Sequence, residues 1–283
     1  MKERSNISLR PLDDLFSTEE SRLDAQREKV QEIPLAELHP FPNHPFKVQD
    51  DERMLDTAES IREHGVLVPA IARPRADGGY ELIAGHRRKR GCELVGLETM
   101  PVIIRNLDDD AATIIMVDSN IQRESLLPSE RAFAYKMKLE AMRHQGERRD
   151  LTSAQLGRKL DGKESREILA EQTGQSRNQI SRFVRLTELI PQLLNMVDER
   201  KIAFNPAVEL SYLKADEQTM LLEAMDSEQA TPSLSQAQRL KKFSQDGRLS
   251  LDVMRAIMSE EKKSDLDKVT LNNETLRKYF PKS

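Results

Sequence analysis

Four basic side chains follow a glycine in the segment GHRRKRG, residues 85–91, directly after the strand-like segment YELIA. Glycine permits a backbone conformation that other residues avoid, and the apolar spacing after it predicts a helix. Basic residues in the first turn of a helix oppose the helix dipole, which favours negative charge at that end. Backbone N–H groups and guanidinium groups together bind phosphate, so the segment is a candidate phosphate site. A solvated basic face is the alternative interpretation.

A second candidate site lies in the segment SNIQRESLLPSE, residues 119–130, at the end of a predicted helix that starts near Asp108. An amide oxygen beside an arginine can hold a hydrated Mg²⁺ and a phosphate, because Mg²⁺ keeps most of its waters and takes few protein oxygens. Polar residues at a helix end are more often caps. This segment alone therefore leaves both interpretations open.

The segment SREILAEQTGQSRNQISRFVRL, residues 165–186, has the pattern of a helix-turn-helix. Ala170 is small where two helices would cross, Gly174 lies in the predicted turn, and Ile180 would pack the second helix against the first. The second helix then presents side chains that can contact bases or phosphates: Ser176 as its N-cap, Arg177, Asn178, Gln179 and Arg182. An ordinary helical hairpin is the alternative.

Two kinds of framework are needed to position these segments. A helix ending at Gly65, short strands on both sides of the Asp77–Gly79 turn and a further strand near residues 100–107 predict an α+β unit. Strand signals nearly vanish after Asp108, so the protein is expected to be mostly helical overall. We expect a flexible arm at 1–32, an α+β domain at 33–127, an all-α helix-turn-helix domain at 128–258 and a linker with a C-terminal tail at 259–283.

Composition limits the classes of function. The 283 residues contain 44 Lys and Arg against 48 Asp and Glu, so attraction to nucleic acid must come from local basic patches. A single cysteine, Cys92, excludes an intrachain disulfide and favours a reducing compartment. The sequence has no apolar run of membrane-spanning length and no apolar core of a secretion signal near its N-terminus. We therefore expect a cytoplasmic protein without a membrane partner.

From about Ile33 to Leu213 the chain resembles the ParB family of DNA-partition proteins. GHRRKRG stands where the family has Gly-Glu-Arg-Arg, SNIQRESLLPSE resembles the family's Glu-Asn-x-Gln-Arg-x-x-Leu-x-Pro-x-Glu motif, and the helix-turn-helix follows at the expected distance. The resemblance implies a CTP-binding domain followed by a DNA-binding domain. It assigns the following residues to the cofactors CTP and Mg²⁺: Gly85, His86, Arg87, Arg88, Gln122 and Arg123 to CTP, and Asn120 to Mg²⁺.

Two positions depart from the family motifs. His86 replaces the motif glutamate, and Ser119 replaces the acidic residue just before Asn120. Loss of that carboxylate leaves less negative charge to hold Mg²⁺ and orient a water. Asp118 or Glu124 could substitute. Whether CTP is hydrolysed to CDP and phosphate stays open, and no catalytic residue is assigned.

The resemblance implies a homodimer that recognises a palindromic, parS-like site in double-stranded DNA and forms a CTP-dependent sliding clamp. Its cargo would be a plasmid, a mobile element or a chromosome, and its location the nucleoid or a plasmid. The family also implies a ParA-type Walker ATPase partner, for which a cluster in the arm is the candidate contact: Arg10, Leu12, Leu15 and Phe16. We find no full dimerisation module after residue 264.

Two other functions remain as alternatives. The chain could be a helix-turn-helix transcription regulator or a nucleoid-occlusion-like factor with a degenerate nucleotide pocket. A sulfiredoxin-like activity is the enzymatic alternative, because the sulfiredoxin fold is similar to that of the family's N-terminal domain. Cys92 argues against this activity, since it lies beyond the basic turn among apolar residues and is expected to be a buried core thiol.

Overall fold

The computed structural model describes residues 29–123, 126–152 and 162–260, and the side chains of all of these except 146–152 and 162–164. The chain divides into two compact units. Of the described residues, the first unit contains 29–126 together with those between Phe133 and Arg177, and the second contains Leu127–Ala132 and 178–260. The candidate segments at 85–91 and 119–123 both belong to the first unit.

A five-stranded mixed sheet forms the centre of the first unit, with the order β1-β5-β3-β4-β2. The β1–β5 and β3–β4 pairs are antiparallel, whereas β3–β5 and β2–β4 are parallel. The strands are β1 (Val30–Pro34), β2 (Leu38–Pro40), β3 (Ala70–Pro74), β4 (Tyr80–Ala84) and β5 (Thr99–Ile104).

Helices follow the strands of the first unit. They are α1 (Glu52–His64), α2 (His86–Val95), α3 (Asp109–Asp118), α4 (Pro128–Thr152), whose first residues belong to the second unit, and α5 (Gly162–Thr173). Aspartates cap two of them, because the side chain of Asp51 accepts from the Met54 amide and that of Asp108 from the Ala111 amide.

Strand β4 is covered on both faces. Successive side chains of a strand point to opposite faces of the sheet, and here Leu82 and Ile83 belong to two different core clusters. The Leu82 cluster includes Ile61 of α1 and Cys92 of α2. The Ile83 cluster has Phe41, Phe46, Ala112, Met116, Val117 and Ala134 as its other buried members. The turn that follows β4 at Gly85 is therefore attached to a strand that is fixed by packing on both sides.

The second unit is helical throughout its described part. Its helices after α4 are α6 (Arg177–Arg185), α7 (Pro191–Asp198), α8 (Phe204–Leu210), α9 (Ala215–Ser227), α10 (Leu234–Gln245) and α11 (Leu251–Met258). Fully buried side chains from successive helices form its core: Leu193, Leu210, Leu221, Leu240 and Met254. An α+β domain followed by an all-helical helix-turn-helix domain is thus confirmed.

The structure agrees with some sequence-based expectations and differs from others in detail. The predicted helix ends at Gly65, which has a φ of +69°. Strand β3, which precedes the Asp77–Gly79 turn, begins at Ala70, and Leu67 and Val68 before it are 75% and 64% exposed. Leu94 of α2 is 41% exposed, although it is apolar. Within the residues described, the structure contains no helix with the length and apolarity to cross a membrane.

Candidate nucleotide-binding and DNA-binding sites

Gly85 links β4 to α2 in a conformation that requires glycine. Its φ is +113°, a value that side-chain-bearing residues rarely adopt. A Cβ placed on it would lie 2.8 Å from Cβ of Ala70 in β3 and 3.4 Å from Cζ of Arg88. The absence of a side chain therefore allows the start of α2 to approach β3 closely.

The N-terminus of α2 lacks the usual capping groups. No described side chain caps it, and its first turn contains no acidic residue. The earliest backbone hydrogen bond of the helix runs from the Lys89 amide to the Gly85 carbonyl oxygen, at 2.9 Å. The preceding amides have no acceptor within the helix, as at any helix start. Together with the dipole, these amides favour an anion at this end.

The four basic side chains of GHRRKRG are held by different neighbours. Nη2 of Arg87 lies 3.3 Å from Asp51 Oδ1, and Nη2 of Arg90 lies 2.6 Å from Asp50 Oδ2. Nζ of Lys89 donates to the Leu38 carbonyl oxygen at 2.7 Å. These contacts tie α2 to the start of α1 and to β2. Neither a fully solvated basic face nor four free phosphate ligands describes this arrangement.

Arg88 is held by two backbone carbonyl groups. Its Nη1 donates to the carbonyl oxygens of Val68 and Pro69, the latter at 2.7 Å. Burial lowers the pKa of this guanidinium below its ordinary value. Two backbone carbonyls stabilise the charge and orient the group. Arg88 therefore also fixes the segment before β3.

His86 lies in a cationic environment. Its ring centroid is 4.0 Å from that of His44, and its Nε2 is buried without a hydrogen-bond partner among the described residues. Burial, followed by the charges of His44, Lys89 and Arg123, lowers the pKa of His86 to about 3. The imidazole is therefore neutral near neutral pH, and its surroundings favour an anion.

The two predicted segments lie close enough for the charge of Arg123 to lower the pKa of His86. Arg123 belongs to SNIQR, whereas His86 belongs to GHRRKRG, and the charge of the first acts on the ring of the second. The packing of α3 against β4 produces this proximity, because Met116 and Val117 share a core cluster with Ile83. Sequence reasoning missed His44, since nothing near it in the sequence indicates contact with α2.

Asn120 follows α3 and is 4% exposed. Its Nδ2 donates to the Met116 carbonyl oxygen at 2.8 Å and to Ser119 Oγ at 3.1 Å. These bonds fix the amide plane, and Oδ1 is the atom of this side chain that can contact a cation. Gln122 is exposed. This geometry accommodates a single neutral oxygen ligand.

Carboxylates do not surround Asn120 as a metal site would need. Asp118, one of the two proposed substitutes for the motif carboxylate, instead forms an ion pair with Lys138. Glu124, the other, lies outside the described residues. Across the described part of the chain, no group of three or more His, Cys, Asp or Glu could hold a metal ion. A divalent cation here would need phosphate oxygens as further ligands.

The predicted helix-turn-helix corresponds to α5 and α6. Three residues connect the helices, and the first of them, Gly174, has a φ of +65°. Ile180 and Phe183 are the buried residues of α6, while Ser176, Arg177 and Asn178 are exposed and Gln179 is partly buried. The two helices fall in different compact units. The exposed start of α6 has the side chains that DNA contact requires.

Arg182 is less available than the sequence suggests. Its Nη2 donates to Asn205 Oδ1 at 2.5 Å, and its guanidinium carbon lies 5.2 Å from the centroid of the Phe204 ring. Arg185, which the sequence analysis did not select, makes a similar contact one turn later. Its Nη2 donates to the Ser211 carbonyl oxygen at 2.7 Å, and the guanidinium carbon lies 4.2 Å from the Tyr212 ring centroid. Both arginines attach α6 to the region around α8.

Cys92 is fully buried, as expected from the sequence. Burial raises the pKa of its thiol, with the nearby Glu32 acting in the same direction. Because the thiolate is the nucleophilic form, a thiol with a raised pKa reacts slowly at neutral pH. The site offers no support for a sulfiredoxin-like reaction.

Two family descriptions match consecutive parts of the chain. The ParB N-terminal domain matches residues 19–121, and the ParB HTH domain matches residues 154–239. The nucleoid occlusion protein of Geobacillus thermodenitrificans is 32% identical over 217 residues, which are 75% of this chain and 70% of that protein. The chain belongs to the ParB family. The resemblance predicted from the three motifs is thereby confirmed.

Two further comparisons cover parts of this ParB family member. Stage 0 sporulation protein J of Bacillus subtilis is 34% identical over 194 residues, which are 69% of this chain but only 61% of that protein. A solved structure of C-terminally truncated ParB from Caulobacter crescentus, complexed with CTP-gamma-S, is 28% identical and covers 68% of this chain and 96% of that one. Its TM-score is 0.32.

Proposed function

We propose that this ParB family member is a DNA-binding partition protein that binds CTP in its first unit and a palindromic DNA site through α6. The main support for the nucleotide site is the environment of His86. Its buried Nε2 has no partner among the described residues, and it lies beside an uncapped helix N-terminus and the charge of Arg123. A polyphosphate would supply both the missing hydrogen-bond partner and the missing negative charge.

In this proposal the phosphates lie against the first turn of α2. The amides after Gly85 and the guanidinium of Arg87 bind them from one side, and Arg123 from the other. Arg88 acts differently, because its bonds to the Val68 and Pro69 carbonyls hold the adjacent loop in place. Neutral His86 donates from Nε2 to a phosphate oxygen.

Mg²⁺ fits this site only together with the nucleotide. Asn120 Oδ1 would be the protein ligand, and the remaining positions would be filled by phosphate oxygens and water. When bound, the ion would neutralise phosphate charge and orient the chain of phosphates. With Ser119 in place of an acidic residue and Asp118 paired with Lys138, the proposal includes binding of CTP and leaves its hydrolysis out.

On DNA, two copies would place their α6 helices in the two halves of a palindrome, because the symmetry of a dimer matches that of its site. Exposed Arg177 and Asn178 are the candidate base contacts. CTP binding would then favour a closed clamp, by binding the closed arrangement more tightly than the open one. The proposed ATPase contact in the arm lies outside the described residues.

The test is a titration with CTP, ATP, GTP and UTP in the presence of Mg²⁺, using Arg87→Ala and, as matched control, Arg90→Ala. Both variants remove an arginine of α2 that pairs with an aspartate. Losing a charged hydrogen bond to phosphate should weaken CTP binding about tenfold or more in Arg87→Ala. Arg90→Ala should stay within about twofold. Equal binding by the two variants, or no preference for CTP, would refute the site.

A regulator of nucleoid occlusion or transcription is the second candidate. The departures at His86 and Ser119 favour it, as does the relative named a nucleoid occlusion protein. Its DNA binding would be independent of nucleotide. The DNA for this test is a palindromic site selected from a random-sequence library. Identical affinity and residence time on that selected site, with and without Mg²⁺ and CTP, would support this candidate over the clamp.

A further inference from the structure

Lys138 is a lysine in an unusual position. It lies in α4 and is 1% exposed. Its Nζ donates to Asp118 Oδ1, at the end of α3, and to Gln172 Oε1, in the last turn of α5, at 2.5 Å. All three residues belong to the first unit. One ammonium group therefore joins three helices.

A buried ammonium is stable only when its charge and its N–H groups are satisfied. Asp118 supplies the opposite charge and Gln172 a neutral acceptor. Both acceptors are outside the core, since the Asp118 side chain is 44% exposed and Gln172 is exposed as well. Either acceptor can therefore move into water at small cost, whereas Lys138 cannot. Its position depends on where the two acceptors are.

The two acceptors adjoin the two candidate sites. Asp118 directly precedes Ser119 and Asn120, in the segment proposed to meet the nucleotide and Mg²⁺. Gln172 lies two residues before Gly174, the turn that leads into α6. A shift of the end of α3 would change the hydrogen bonding of Lys138, and Lys138 would transmit the change to the end of α5.

We propose that Lys138 is a positioning residue that couples nucleotide binding at the end of α3 to the conformation of α5. This inference rests on the proposed CTP site. When the Ser119–Arg123 segment adjusts to the ligand, Asp118 moves with it, and the Lys138 ammonium changes its bond to Gln172. Because coupling between sites is reciprocal, DNA contact that shifts α5 also changes nucleotide affinity through the same group.

Amide hydrogen exchange on the full chain tests the coupling without knowledge of the DNA site. In the wild type, Mg²⁺ with CTP should slow exchange at residues 85–90 and change it at 162–173. In Lys138→Met the change at 85–90 should persist, whereas the change at 162–173 should fall to less than about a third of the wild-type value. Methionine has a similar length and leaves no buried charge.

Two further variants make the result interpretable. Lys136→Met removes a half-buried lysine from the same helix and should behave as the wild type. Asp118→Asn removes the ion pair from its exposed side and should behave as Lys138→Met, which keeps the test valid if the methionine variant is unstable.

The outcomes separate the two proposals. A wild type without any CTP-dependent change at 85–90 would refute the nucleotide site itself. A wild type that responds at 85–90 but not at 162–173 would refute only the coupling. An undiminished response at 162–173 in both Lys138→Met and Asp118→Asn would also refute the coupling, because it would then take another route.

Discussion

The candidate nucleotide site is defined by single residues that are unusual for their surroundings. His86 is a partly buried imidazole kept neutral by burial and by the neighbouring charges of His44, Lys89 and Arg123. Gly85 is a glycine whose φ and neighbours exclude any side chain. Both features reduce the stability of the free protein or restrict its sequence. A bound anion would offset the positive charge around His86 and would accept hydrogen bonds from the amides after Gly85.

The lowered pKa of His86 makes stability depend on pH. In the unfolded chain the imidazole takes up a proton near its ordinary value of 6.5, whereas in the folded protein it does so only near pH 3. The unfolded state therefore binds more protons between these values, and the folded state loses stability as the pH falls below 6.5. Between pH 7 and 5 this group should lower the free energy of unfolding by about 2 kcal/mol.

Urea unfolding at pH 7, 6 and 5 measures this effect. His86→Gln, which cannot titrate, should lose about 2 kcal/mol less than the wild type over the same range. His64→Gln replaces an imidazole whose side chain is 61% exposed and serves as the control. Parallel pH dependence in the wild type and in His86→Gln would contradict the assigned environment of His86.

Gly85→Ala should destabilise the protein by about 2–3 kcal/mol, because it combines a strained φ with a Cβ contact of 2.8 Å. Gly78 has a similar positive φ of +90° but open space around its Cβ position. Gly78→Ala should therefore cost only about 1 kcal/mol. Thermal and urea unfolding compare the two, and equal losses would mean that the approach of α2 to β3 is not tight.

Among the helices and strands, those whose limits have local causes can be predicted from the sequence. Gly85, which follows an apolar strand, predicts the start of α2, and Gly174 predicts the turn between α5 and α6. Strand β1 was missed because only Ile33 among its residues is buried, so that it has no alternating pattern. Its pairing with β5 is a contact between distant parts of the sequence.

The difference between local features and contacts that are distant in sequence also explains which parts of the site could be predicted. The basic residues of α2 were found from their spacing, because a helix start is a local feature. Their partners Asp50 and Asp51 and the His44 ring could not be found, because only the folded sheet brings them to α2. Arg185 could have been selected, since it follows Arg182 by one turn on the same helix.

The exposed start of helix α6 contains a candidate base contact. Arg177 is exposed and pairs with Glu167 at 3.3 Å. Replacing it with alanine should weaken binding to the selected palindrome about tenfold if it contacts a base. Binding to random-sequence duplex should then change little, and the salt dependence should be unaltered. An equal loss on both duplexes, with a shallower salt dependence, would instead make Arg177 a phosphate contact.

The division of the chain into two units does not coincide with the ends of helices. Helix α4 begins in the second unit and continues in the first from Phe133. Ala134 is fully buried in the Ile83 cluster, and Met137 packs against that cluster. The N-terminal core thus includes residues beyond the boundary at 127 that the sequence predicts.

Fragments test where the N-terminal domain ends. A fragment ending at residue 127 would leave Ile83 and Met116 without the cover that α4 provides, whereas a fragment ending at 145 keeps it. Burial of a few apolar side chains contributes several kcal/mol, so the shorter fragment should unfold at a clearly lower urea concentration. Equal urea midpoints would place the domain boundary at 127, as the sequence predicts.

The Asp51 carboxylate both caps α1 and pairs with Arg87. A phosphate that binds the Arg87 guanidinium therefore does not leave the Asp51 carboxylate without a hydrogen-bond partner, because the Met54 amide and water still donate to it. The arginine exchanges one anion for another. Added salt weakens the Arg87–Asp51 ion pair as well as the Arg87–phosphate contact. Nucleotide affinity should therefore decline with ionic strength less steeply than the number of cationic side chains around the phosphates suggests.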